Sequence, residues 1–89
     1  MIDSERIKRA VTELLSAIGE DPNRAELLAT PEKVAAAYAE FFKGVGVDET
    51  SVLAETFEAE HNEVVILKDI DFVSMCEHHL LPFTGVAHV

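Results

Sequence analysis

The side chains best suited to chemistry lie side by side near the end of the chain, in the run Cys76-Glu77-His78-His79. Cys76 and His79 are three residues apart, so a tight turn would direct both side chains toward one point. A thiolate and a neutral imidazole are good zinc ligands. Pro82 follows shortly afterwards and would stiffen the exit from such a turn. The spacing therefore makes Cys76 and His79 candidate metal ligands, with an acid and a second imidazole beside them that could transfer protons.

Two ligands do not complete a zinc site, because a catalytic zinc needs a third protein ligand and an open position for water. The candidates within the chain, none of them marked by its spacing, are His61, His88 and Glu77. A packed cysteine beside surface histidines is an alternative interpretation of the same residues. In another interpretation, the Cys76 thiol is a nucleophile and a neighbouring imidazole is its base. Residues this close in sequence rarely reach the geometry that such a pair needs.

The composition narrows the class of protein. The chain has 89 residues, a formal net charge of -10 and an apolar fraction of 48%, which is too apolar for a disordered acidic tail. The acidic balance excludes a nucleic-acid backbone as a natural partner. A single cysteine suits a reducing compartment, and neither a signal peptide nor a membrane-length apolar run is visible, so we expect a cytoplasmic protein without membrane contact. No glycine-rich phosphate-binding motif is present.

The elements that must position the cluster are helices first and strands second. Residues 1–44 have helical periodicity and predict three helices, beginning near Asp3 or Ser4, at Asp21-Pro22 and at Thr30-Pro31. The apolar faces of the outer two helices comprise Ile7, Val11, Leu14, Leu15 and Ile18, and Val34, Tyr38, Phe41 and Phe42. Residues 45–62 form a connecting segment, in which Asp48 can begin one short helical turn.

Residues 63–89 carry the strand signals. The run 64–67 is apolar and β-branched, and alternation continues through Ile70 and Phe72, which predicts one strand of roughly ten residues. A second strand is predicted over 84–89, and it has no turn or polar tail after it. This order predicts an α+β fold whose strands are incomplete, because a lone pair of apolar strands exposes unpaired edges.

The segments that carry these signals resemble GTP cyclohydrolase I. The resemblance rests on residues 69–85, DIDFVSMCEHHLLPFTG, which match that family's signature almost throughout. It extends to GEDPNR at 19–24, LATPEKVA at 28–35 and YAEFF at 38–42. The similarity spans most of the chain and is far more specific than a Cys-x-x-His spacing alone.

The resemblance implies an enzyme that hydrolyses the imidazole ring of GTP, releases formate and forms 7,8-dihydroneopterin triphosphate, on the way to folate or biopterin cofactors. It implies the tunnelling (T-) fold, whose sheets join across subunits in a homo-oligomer of stacked rings. The family's zinc ligands map onto Cys76 and His79, and its catalytic histidine maps onto His78. No settled role maps onto Glu77.

The family pattern continues beyond residue 89. By the same resemblance, that further part supplies a second cysteine ligand, another histidine, the glutamate that anchors guanine and basic residues for the triphosphate. We therefore expect the 89-residue chain to be inactive by itself. Two alternatives remain open from the sequence, a non-catalytic zinc-binding module and a purely structural oligomerisation segment.

Overall fold

The structure is a computed structural model, and it describes residues 1–58, Glu60 and 62–89. It contains helices α1 (Ser4–Ala17) and α2 (Thr30–Phe41), two 3₁₀ helices (Ala25–Leu27 and Glu49–Leu53), and strands β1 (Ile70–Met75) and β2 (Pro82–Ala87). The chain divides into two compact units, Met1–Val45 and Gly46–Val89. The predicted α+β class is confirmed.

Helix α1 has the two termini that its sequence predicts. The Asp3 carboxylate accepts a hydrogen bond from the Arg6 backbone N–H at 3.1 Å, and so satisfies one free donor of the first turn. Gly19, at φ 93°, ends the helix. There the N–H of Glu20 bonds to the Leu15 carbonyl and the N–H of Gly19 to the Ser16 carbonyl. This pair of bonds is a Schellman motif, which favours glycine because of the positive φ.

The middle one of the three predicted helices is only a 3₁₀ turn, Ala25–Leu27. The prediction of three helices is therefore corrected to two helices joined by a segment with this short turn. The Asp21 side chain bonds to the Asn23 N–H at 2.9 Å and forms an Asx turn rather than a helix cap. Helix α2 begins at Thr30 with Pro31 in its first turn, as predicted, but its N-cap is Ala29, which makes no side-chain capping bond.

The core of the helical unit is small. Leu15 of α1 and Ala35 of α2 are the two buried apolar residues in the part of the chain that the structure describes. A small residue at the contact lets two helices approach closely, and Ile7 and Val11 lie half-buried along the same side of α1. Leu14 and Ile18 also belong to the predicted apolar face but are 58% and 65% exposed, so that face is covered only in part.

Strands β1 and β2 form one antiparallel hairpin. Ile70 pairs with Ala87, and the register continues to Met75 opposite Pro82. Proline at the first position of a strand is compatible with the ladder because it needs no donor there. Phe72 lies opposite Gly85, and its ring packs edge-on against Phe83 with centroids 6.4 Å apart.

The predicted ten-residue strand is wrong in its first half, because residues 64–69 are not in a strand. Leu67 still exchanges two backbone hydrogen bonds with Val89, of 2.6 and 2.8 Å. Between that pair and the Ile70–Ala87 pair, two residues on one side oppose only His88 on the other. The extra residue is a β-bulge, and Asp69 adopts the left-handed conformation there, with φ 59°.

The hairpin is largely open to solvent. None of the described residues of 46–89 is buried, and Phe72, Val73, Phe83 and Val86 are 41–54% exposed. Apolar side chains therefore lie exposed on both faces of a two-stranded ribbon, which is marginally stable by itself. Within the part that the structure describes, neither α1 nor α2 has the length and apolarity to cross a membrane.

Candidate metal site in the hairpin turn

The turn between β1 and β2 brings the predicted ligands together. The Sγ atom of Cys76 lies 3.6 Å from Nδ1 of His79. The turn is closed by two backbone hydrogen bonds, from the Cys76 N–H to the Leu81 carbonyl at 2.8 Å and from the Leu80 N–H to the Cys76 carbonyl at 2.9 Å. The i,i+3 spacing therefore does place both side chains at one point.

This separation fits a shared zinc ion. Bonds of about 2.3 Å to sulfur and 2.0–2.1 Å to nitrogen, at a tetrahedral angle, hold the two ligand atoms about 3.5–3.6 Å apart. The observed 3.6 Å agrees without any movement of the turn. The same distance also allows a hydrogen bond between a thiol and an imidazole. The sequence led us to expect that residues this close along the chain would not reach the geometry of a nucleophile and its base, and the structure brings them within reach.

Accessibility also fits a site that receives a ligand. Cys76 is half-buried and reduced, whereas Glu77, His78 and His79 are exposed on the turn. His78 precedes His79 directly, so an imidazole not engaged with Cys76 stands next to the pair. It is available for proton transfer to a bound molecule.

The third-ligand candidates do not join this pair. His88 follows β2 at the opposite end of the hairpin, roughly 20 Å away along the six residues of that strand. His61 lies outside the described residues. Glu77 is in the turn, but among the residues that the structure describes no three His, Cys, Asp or Glu side chains are grouped to hold a metal ion. The described chain thus provides two ligands.

Two features of this region had no signal in the sequence. Leu80 has a φ of 54°, a conformation that glycine or asparagine would have signalled but leucine does not. The His88 side chain accepts a hydrogen bond from the Asp69 backbone N–H, which removes it from the ligand candidates. Such a bond depends on the position of a bulge, and a bulge is set by pairing between strands.

Known proteins resemble the chain along its whole length. A sequence model of the family described as GTP cyclohydrolase I matches residues 7–89. GTP cyclohydrolase 1 of Caldanaerobacter subterraneus subsp. tengcongensis is 57% identical over 89 residues, and that of Thermoanaerobacter pseudethanolicus is 56% identical; both alignments cover 100% of this chain and 47% of the relative. The Rhodopirellula baltica protein of the same name is 54% identical, with 99% and 38% covered. The chain thus spans about half the length of these relatives, or less.

Proposed function

Because the chain belongs to the GTP cyclohydrolase I family, we propose that it forms part of a zinc-dependent enzyme that opens the imidazole ring of GTP. The products are formate and 7,8-dihydroneopterin triphosphate, and the pathway leads to reduced pterin cofactors. The observation that carries the metal assignment is the 3.6 Å separation of Cys76 Sγ and His79 Nδ1. It matches the spacing of two ligands on one tetrahedral zinc.

Cys76 and His79 are the residues that hold the metal in this proposal. When bound, zinc supplies a Lewis acid that lowers the pKa of a water molecule toward about 7. Cys76 binds as the thiolate, so its sulfur is not free to act as a nucleophile. The turn holds the two side chains three positions apart in the sequence, and its two closing hydrogen bonds limit their movement relative to each other.

His78 is the proposed acid–base residue. Addition of water at C8 of guanine requires a proton on the adjacent ring nitrogen as the C–N bond breaks. An exposed imidazole beside the metal ligands can deliver that proton and later accept one. Its place in the same turn keeps it close to the metal without occupying a coordination position.

The 89-residue chain is proposed to be inactive without further ligands. It provides two metal ligands among its described residues, and its formal net charge of -10 opposes a triphosphate. The relatives are about twice as long. The third ligand and the groups that bind guanine and phosphate are therefore proposed to come from sequence that matches their remaining length.

We also propose that the hairpin belongs to a tunnelling fold completed by assembly of identical subunits in the cytoplasm. The support is the exposure of apolar side chains on both faces of β1 and β2. Such a ribbon gains stability only when further strands or helices cover it.

Turnover of GTP tests the proposal. A full-length protein that contains this segment should release formate and form the pterin triphosphate, whereas the purified 89-residue chain should form neither. In the full-length protein, His78→Ala should reduce kcat by about a hundredfold or more and leave the zinc content unchanged. Undiminished turnover in His78→Ala would disprove the acid–base role, and turnover by the 89-residue chain would disprove its predicted inactivity.

A further inference from the structure

We propose that Leu80 is a positioning residue, whose left-handed backbone conformation holds Cys76 and His79 at the separation that one metal ion requires. This inference rests on the metal site proposed above. Leu80 has φ 54°, and Asp69 is the other non-glycine residue with positive φ in the described chain. Asp69 has a side chain that tolerates this region, whereas Leu80 does not.

The conformation of Leu80 closes the turn. The Leu80 N–H donates to the carbonyl of Cys76 at 2.9 Å. The carbonyl of the next residue, Leu81, accepts a hydrogen bond from the Cys76 N–H at 2.8 Å. Leu80 therefore reverses the chain immediately after His79 and returns it to the ladder. With Leu80 in an extended conformation, the chain would leave in another direction, and the Leu81 carbonyl would no longer reach the Cys76 N–H.

Packing of the Leu80 side chain does not explain this conformation. The residue is 53% exposed, so its side chain is not wedged into a core that could force the backbone. The strain therefore belongs to the turn itself, beside two residues with ligand chemistry. Strained backbone is retained where the surrounding structure imposes it, and such positions cluster at functional sites.

The proposal predicts how substitutions at residue 80 rank in metal affinity. Glycine and asparagine adopt positive φ readily, whereas a β-branched residue resists it. In the full-length protein, the Leu80→Gly and Leu80→Asn variants should bind Co²⁺ with an affinity within about twofold of the native one. Leu80→Val should bind about tenfold more weakly. Leu81→Val is the matched control, because Leu81 is also exposed but has no positive φ, and its affinity should not change.

Titration of the metal-free full-length protein that contains this segment with Co²⁺, followed by the sulfur-to-cobalt charge-transfer band, measures these affinities without enzyme activity. Amide exchange at Leu67 and Val89, which bond to each other at the far end of the hairpin, reports whether the strands remain paired. We expect Leu80→Val to lose affinity while that protection persists.

Three results would overturn the role of Leu80. The first is native affinity in Leu80→Val, and the second is an equal loss in Leu81→Val. The third is a Leu80→Val variant that loses both the amide protection and the metal affinity. That result would show that Leu80 stabilises the hairpin as a whole and does not specifically position the metal ligands. Failure of the metal site itself looks different. The full-length protein with the native turn would show no charge-transfer band, or the same band as its Cys76→Ser variant, and both proposals would then fall.

Discussion

His88 and Asp69 are joined by a hydrogen bond across the hairpin, in which Nδ1 of the imidazole accepts from the Asp69 backbone N–H at 3.0 Å. An accepting Nδ1 places the ring proton on Nε2. The β-bulge leaves the Asp69 N–H without a ladder partner, and the imidazole supplies the missing acceptor. His88 therefore has a structural task at the end of the hairpin away from the metal ligands.

Replacement of His88 tests this task. His88→Leu should speed amide exchange at Asp69 by about fivefold, because the donor loses an acceptor that contributes about 1 kcal/mol. His88→Asn is the matched control, since its Oδ1 takes nearly the position of Nδ1 and should preserve protection. Equal exchange rates in both variants and the native chain would contradict a role for the imidazole.

Metal content tests the ligand pair. Cys76→Ser and His79→Ala should each lower the zinc content of the full-length protein well below one ion per subunit, because loss of either ligand leaves too few donors. His78→Ala is the control of the same residue type in the same turn, and it should retain zinc. If zinc remains stoichiometric in both ligand variants, Cys76 and His79 form a thiol–imidazole contact instead.

The close approach of Phe72 to Gly85 predicts a coupled pair of substitutions. A Cβ at Gly85 would overlap the Phe72 ring, so Gly85→Ala should destabilise the hairpin by about 1 kcal/mol as the ring is displaced. In a Phe72→Ala background the same change should be neutral or stabilising, since alanine loses less backbone entropy than glycine. Amide exchange across the Val73–Thr84 pair measures both effects, and additive changes would show that the ring does not occupy this space.

Asp48 predicts a pH dependence in the connecting segment. Its carboxylate accepts from the Thr50 hydroxyl at 2.6 Å and from the Thr50 N–H at 2.9 Å, and these bonds, the hydroxyl first, lower the pKa of Asp48. A lowered pKa in the folded state means that the charged form stabilises the 3₁₀ helix Glu49–Leu53. That stabilisation is complete above the ordinary Asp value of about 3.9 and is lost as the pH falls through the lowered pKa.

Removal of the hydroxyl isolates its share of the effect. Thr50→Val should raise the pKa of Asp48 part of the way toward its ordinary value. The pKa should stay below that value because the Thr50 backbone N–H still donates to the carboxylate. Ser51→Ala is the control, since the Ser51 hydroxyl bonds to the Asp48 backbone carbonyl and not to its carboxylate. A carboxyl titration followed by NMR measures the pKa in each variant, and an unchanged value in Thr50→Val would contradict the assignment.

Local signals in the sequence predicted the outer two of the three expected helices well. Asp3 and Gly19 mark the ends of α1 because capping depends on residues within one turn. The length of the helix predicted to begin at Asp21 was overestimated, because proline after aspartate is equally suited to an Asx turn. Burial was overestimated too: Leu14 and Ile18 fit the periodic face, but in the part of the chain that the structure describes α2 is the one helix packed against α1.

The strands and the site show where sequence patterns fail. An apolar run such as 64–67 predicts a strand, but a strand needs a neighbouring strand to pair with. Within this described run, only Leu67 has backbone hydrogen bonds to a partner, Val89. The spacing of Cys76 and His79 predicted their convergence because a single turn determines it. The left-handed Leu80 follows from the closure of the turn and the His88–Asp69 bond from the position of the bulge, and residue types reveal neither.

The shortness of the turn that joins Cys76 to His79 has a kinetic consequence. Only two residues lie between Cys76 and His79, so the entropy lost in bringing their side chains together is small. A hairpin of this kind forms in about 1–10 μs, long before contacts between distant parts of a chain are made. The thiol and imidazole therefore meet early during folding, and a metal ion captured there would bias the later steps toward the native arrangement.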